Sequence, residues 1–160
     1  MKHTQTLILS ALLFTVGCEK SAETYFDLSD KALADNQIEE SISHLKDLLS
    51  HHENDSLSSK AQYLIGNIYM NDLRYFDTAI NEYRKVIDNY AGSSQESEAL
   101  FMIGYIYANI LKDSAKAKNE YQTFLTRFPK HDLSPSVQFE LDFLGKDIFE
   151  APALKSINSY

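Results

Sequence analysis

Tryptophan is absent, cysteine occurs once, and there are only three prolines and five glycines. One cysteine can form neither an internal disulfide nor a multi-thiolate zinc site. So few turn-formers argue against a many-stranded β fold, which needs a turn every ~8–12 residues. Basic residues are the minority, fifteen Lys and Arg against twenty-three Asp and Glu, for a net charge of −8. With no basic stripe to neutralise phosphates, nucleic acid is not an expected partner. No apolar run reaches the ~20 residues that a membrane-spanning helix needs.

Catalytic signatures are missing as well. There is no His-Glu-x-x-His, no phosphate-cradling glycine loop and no Gly-x-Ser-x-Gly, so the expectation is a protein that is not an enzyme, with no catalytic residue, bound metal or cofactor. His44, His51 and His52 fall near one helix end, where a helix dipole favours imidazolium, and read as solvated side chains. Asp27, Asp30, Glu39 and Glu40 read as surface charge on helical faces.

What remains is a chain of 160 residues, 44% apolar and 24% charged, enough for one folded domain plus a targeting segment. The targeting segment is its start. Met1-Lys2-His3 precedes an apolar run from Leu7 to Val16, ending at Gly17-Cys18; residues 1–17 are therefore expected to be a signal peptide, too short to be a span. An apolar run, a small residue and then cysteine resembles the bacterial lipoprotein signal, with Thr15 where that family usually has Leu. The resemblance implies cleavage before Cys18, a covalent lipid on its thiol, and residues 18–21 as a short tether. The alternative is an ordinary secretory peptide or a buried cysteine.

A shift of thirty-eight residues superposes the middle of the chain on its later part. Ala61, Ile65, Gly66, Ile68, Tyr69, Ala79 and Tyr83 meet Ala99, Ile103, Gly104, Ile106, Tyr107, Ala117 and Tyr121, while Val86 meets Phe124 and Tyr90 meets Phe128. Within each unit apolar residues recur at intervals of three and four, which predicts two amphipathic helices. Glycine inside a helix costs ~1 kcal/mol relative to alanine, so Gly66 and Gly104 point to a close approach of the partner helix, with Ala79 and Ala117 expected to face them. Ser93 with Glu96 predicts a capping box, Gly92 a helix end, and Ser134-Pro135 an N-cap with proline in the first turn.

The pattern Gly-x-x-Tyr, then Ala-x-x-x-Tyr, then an aromatic or aliphatic residue resembles the tetratricopeptide repeat, a helix-turn-helix unit. An earlier copy uses Tyr25, Leu28, Ser29, Ala32, Ser41, Leu45 and Leu48, with serine for the glycine and one residue fewer between its helices; only the third copy ends in the family's proline, Pro129. The resemblance implies an all-α, right-handed solenoid over 22–148: three helical hairpins at about 22–55, 58–92 and 94–130, and a capping helix at 135–148 with Val137, Leu141 and Leu144 inward. Residues 149–160 are expected to be a tail. Gly66, Tyr69, Ala79, Tyr83, Gly104, Tyr107, Ala117, Tyr121, Phe124 and Pro129 would pack the repeats.

In such a solenoid the first helix of each repeat lines a concave wall. Projection places there Phe26 and Asp30, then Tyr63, Asn67, Met70 and Asn71, then Phe101, Tyr105 and Asn109, with Phe139 and Phe143 from the end helix. Aromatics give contact area at low rotamer cost and the amides can pair with a peptide backbone; the same aromatics can equally pack between successive helices. The nearest overall resemblance is to bacterial envelope TPR lipoproteins, such as the TPR subunit of the outer-membrane β-barrel assembly machinery and the Tol-Pal-associated TPR coordinator. It implies a lipid-anchored scaffold facing the periplasm, at the outer membrane before the inner, that binds a peptide or loop of another envelope protein. The alternative is a non-catalytic delivery or regulatory subunit of an envelope enzyme.

Overall fold

The computed structural model describes residues 20–146. The signal peptide, Cys18 and the tail at 149–160 lie outside the described residues. Seven α-helices follow one another: α1 Ala22–Ala34, α2 Ile38–His51, α3 Ser58–Asn71, α4 Phe76–Asn89, α5 Ser94–Tyr105, α6 Ser114–Arg127 and α7 Ser134–Asp142. Helix α5 runs on into a π-helical turn, Ile106–Ile110, and the described residues hold no strand. Consecutive helices pack as hairpins α1–α2, α3–α4 and α5–α6, each hairpin leans on the next through α2–α3, α4–α5 and α6–α7, and α3 also touches α5. The fold is a helical solenoid of hairpins.

The hairpins share one continuous apolar interior. Tyr69 packs against both the first and second clusters, and Ile87 and Tyr107 against both the second and third. Tyr83, Tyr121 and Phe124 are fully buried at its centre. Burying a large apolar side chain is worth about 1.5–3 kcal/mol, so these rings are what the second helices contribute most to the stack.

At the hairpin contact, the group facing Gly66 is the Tyr83 ring and not Ala79. A β-carbon added at Gly66 would lie 2.6 Å from Tyr83 Cε1, and one at Gly104 would lie 2.5 Å from Tyr121 Cε1. The first hairpin solves the same contact differently. It carries Leu45 where the others carry tyrosine, and with no ring to admit, Ser29 and Ser41 fill the space and hydrogen-bond to each other at 2.8 Å, fully buried.

The turns inside the hairpins also repeat. Asn36, Arg74 and Lys112, thirty-eight residues apart, all adopt left-handed backbone, φ 57° to 59°. Leu73 N donates to Ile68 O and Leu111 N to Ile106 O, and then Tyr75 N to Tyr69 O and Asp113 N to Tyr107 O. These wide backbone bonds close the carbonyls that a helix end leaves open. Asp113 next caps α6 by accepting from Lys116 N at 3.0 Å, and that bond, with the Lys116 side chain, holds its carboxyl below the usual range. Ser21 caps α1 by accepting from Thr24 N.

Other end signals act differently from the sequence expectation. Ser93 makes no capping bond and its hydroxyl is buried without a partner. Glu96, 3% exposed, accepts instead from Gly92 N and pairs with Arg127; the carboxylate bends back over the turn because a guanidinium from α6 meets it there. Ser134 is not the N-cap of α7, which Leu133 occupies. Its hydroxyl donates to Phe128 O, as Ser58 does to His52 O two repeats earlier. Pro129 is exposed and closes α6 without packing. Helix α7 ends at Asp142, short of the expected 148, and Gly145 takes φ 75° beyond it.

Candidate partner-binding wall

The register that aligns the repeats extends to α7, so that Tyr63, Phe101 and Phe139 occupy one position on the first helices and Asn67, Tyr105 and Phe143 another. Expected wall residues thus fall on one face, but they are not equally available. Tyr63 is half-buried with its ring 5.4 Å from that of Tyr83. Burial, with Glu98 nearby, pushes its hydroxyl up to about 12. Phe101 is half-buried between Tyr121, at 6.3 Å, and Tyr105, at 6.4 Å. Both rings serve the packing below as well as the surface above.

Asn67 is a correction. Its amide oxygen accepts from the Tyr83 hydroxyl at 2.6 Å, and Met70 Sδ lies 3.7 Å from the same hydroxyl. A buried phenol needs a partner, so the oxygen of this asparagine and the sulfur of this methionine serve the hairpin interior, a role the expected wall did not include. Phe26 is a second correction: it is buried, with Lys60 Nζ 4.6 Å above its ring, because lysine stems readily cover apolar surface. Asp30, Asn71 and Asn109 are exposed.

The third repeat departs from the second at the same point. Tyr121 repeats the position of Tyr83, but Asn67 and Met70 become Tyr105 and Ala108, and the Tyr121 hydroxyl is buried with no hydrogen-bond partner. Burial, with Glu140 and Tyr105 nearby, raises its pKa. Beside Ala108 a cleft of about 300 Å³ opens between the α5–α6 turn and α7, lined among others by Asn109, Lys112, Phe139 and Phe143. Phe139, 44% exposed, stands 4.6 Å from Phe143. Asn109, Phe139 and Phe143 are thus brought together, while Tyr63 lies on α3.

Sequence reasoning missed the polar ties between helices. Gln62 donates to Glu82, which also holds Lys85; Arg84 of the second hairpin pairs with Glu120 of the third; Ser59 donates to Gln95 and Ser97 bonds His131. The signal was present, since Glu82 and Glu120 share a register, but periodicity assigns charge to solvent by default. The histidines are tied, not loose: His51 Nδ1 bonds Asp47 O, His52 Nε2 bonds Lys20 O, and His44 sits 3.6 Å from Glu40. The described residues contain no group of three metal-ligating side chains and no helix long and apolar enough to cross a membrane.

Comparison with known families agrees with this geometry. A tetratricopeptide repeat model matches residues 60–93 and 98–131, which are the second and third hairpins. No curated protein matches the chain. Such repeats are protein–protein interaction scaffolds, and proteins built of them are typically non-catalytic. With two matched repeats inside a solenoid of three hairpins and an end helix, the chain carries tetratricopeptide repeats.

Proposed function

We propose that the protein is a lipid-anchored scaffold of the bacterial cell envelope, facing the periplasm, that binds a peptide or loop of another envelope protein along the first-helix wall. The observation that carries the binding reading is the exposed Phe139 packed against the half-buried Phe143 across a cleft from Asn109. Aromatic rings left half in water next to an amide are the composition of an interface anchor, large in area and cheap to order. The membrane reading rests on the order of apolar run, Gly17 and Cys18. A diacylglyceryl group on the thiol, with ~0.8 kcal/mol for each buried CH₂, holds a protein stably at a leaflet without a span. Tethering raises the local concentration of the wall for a second envelope protein, so modest affinity suffices.

Two experiments test the two halves. Replacing Tyr105 and Asn109 together by alanine abolishes partner capture with helicity unchanged; capture that persists puts the site elsewhere. Replacing Cys18 by serine leaves uncleaved precursor or releases the protein from membranes, and unchanged fractionation with a processed, unlipidated N-terminus defeats the anchor. A role as delivery subunit of an envelope enzyme uses the same wall and differs only in what is captured.

A further inference from the structure

The cleft between the α5–α6 turn and α7 brings two cations to one place on the wall. Lys112 and Lys146 line it together with Asn109, Ala108, Phe139 and Phe143, in a chain whose net charge is −8. The adjoining recess on the α6 side shares Lys146 and adds Lys118 and Asp142. Glu140 is the acidic side chain among the cleft's lining residues. Lys116 is already paired with Asp113, whereas Lys112 and Lys118 have no ion pair among the described residues. Lys146 Nζ donates to Asp142 O and lies 6.0 Å from the Phe143 ring centre, which keeps its charge at the rim. The equivalent of Lys112 in the second repeat is Arg74, which lines a different recess with its chain neighbours Tyr75 and Phe76 and with Asp77; the aromatic pair at Lys112 comes instead from a separate helix, α7.

One further change opens this gap: the methionine at the corresponding position in the second repeat is Ala108 here, which lines the cleft. Two aromatic rings beside two cations suit one kind of ligand: an aromatic or aliphatic side chain to lie against Phe139 and Phe143, flanked by carboxylates that meet the lysines.

We infer that this cleft is the anchor point of the wall and that it takes an acidic segment of a partner protein bearing a large apolar side chain. The inference rests on the proposed scaffold function and names the partner's chemistry. Steering by the lysines works against the net field of the molecule, so the attraction is local and weakens with salt over a Debye length of ~8–10 Å.

The test uses the purified chain from Cys18 onward and three probes: a heptapeptide with phenylalanine between Asp and Glu residues, the same peptide with Lys in place of the acids, and phosphatidylglycerol vesicles. The acidic peptide is expected to bind, to shift the amide resonances of Asn109, Phe139 and Phe143 before those of Tyr63, and to weaken at least tenfold in Lys112→Glu/Lys146→Glu and in Phe139→Ala. Lys112→Arg/Lys146→Arg restores it. The inference is overturned by stronger binding of the basic peptide, by vesicles that bind while the acidic peptide does not, by shifts centred on Tyr63, by no binding at all, or by affinity indifferent to the charge reversal. Any of these with partner capture still dependent on Tyr105 removes the acidic-segment reading and leaves the scaffold function standing.

Discussion

The ring of Tyr83 occupies the space that a side chain on Gly66 would need: a β-carbon there would come within 2.6 Å of Cε1. The contact is with the middle of a fully buried ring, which cannot swing away as the end of a flexible chain could. Gly104 and Tyr121 repeat it, so the glycine and the tyrosine are two halves of one joint.

Gly66→Ala therefore sets helix propensity against overpacking. Alanine gains ~1 kcal/mol as a helix former, while forcing the ring aside costs about 1–3 kcal/mol, for a net loss of up to about 2 kcal/mol in chemical denaturation. In a Tyr83→Leu background, which copies Leu45 of the first hairpin, the same change is expected to be neutral or stabilising. An equal loss in both backgrounds would show that the ring is not the reason for the glycine.

Tyr83 and Tyr121 also separate the value of a hydroxyl from that of a ring. Tyr83→Phe removes the bond to Asn67 and leaves that amide short of a partner, at a cost of about 1 kcal/mol. Tyr121→Phe removes a hydroxyl that has no partner and is expected to leave the melting temperature unchanged or raise it. Equal losses from the two substitutions would contradict the difference between the repeats.

Stability should fall in alkali for a related cause. Burial raises the pKa of Tyr83 and Tyr121 and brings Tyr63 to about 12, whereas in the unfolded chain a tyrosine titrates near ~10. Above pH ~10 the unfolded state has lost these protons and the folded state still holds them, so stability present below that point is lost as pH rises toward 12. Melting temperature is expected to be level from pH 7 to 9 and then to decline, less steeply in the triple Phe variant. A triple variant that declines as steeply as the parent would assign the loss to other groups.

Arg127→Ala tests the tie between α5 and α6. It strands Glu96, 3% exposed, with only the Gly92 amide. Breaking a buried pair from one side costs about 3–5 kcal/mol, and because Arg127 itself is 39% exposed the expected loss is nearer ~2 kcal/mol. Glu96→Gln, which keeps an acceptor for Gly92 N and removes the charge, should lose less than Arg127→Ala. The reverse order would mean that the pair itself, not the stranded carboxylate, carries the energy.

Much of this architecture was legible because burial on one face writes itself into the sequence every three or four residues, and because the repeat writes it twice. Gly66 and Gly104 announced a close approach. That Tyr83 makes it could not be read, since periodicity says which face is buried and not which atom of the partner helix arrives there. The turns were unreadable for a sharper reason: Asn36, Arg74 and Lys112 share a left-handed backbone with no glycine to mark it. The tie from Asn67 to Tyr83 has no mark in the sequence, which does not show that a phenol sixteen residues on needs its oxygen.

The end of the array was legible in principle. Asp142 stands at the register of Gly66 and Gly104 and bonds Gln138 on its own helix. An exposed carboxylate stands there in place of the glycine, so α7 lacks the small residue that admits a partner's ring in the second and third hairpins.

The central claim, that the first-helix wall receives a protein partner, is tested most directly by site-specific photocrosslinking in cells. Probes at Tyr105 and Asn109 are compared with probes at Asn81 and Asn119, which are exposed on α4 and α6. The expected result is one discrete protein adduct from the first pair and none from the second. Adducts from Asn81 and Asn119 with none from Tyr105 or Asn109 would contradict it.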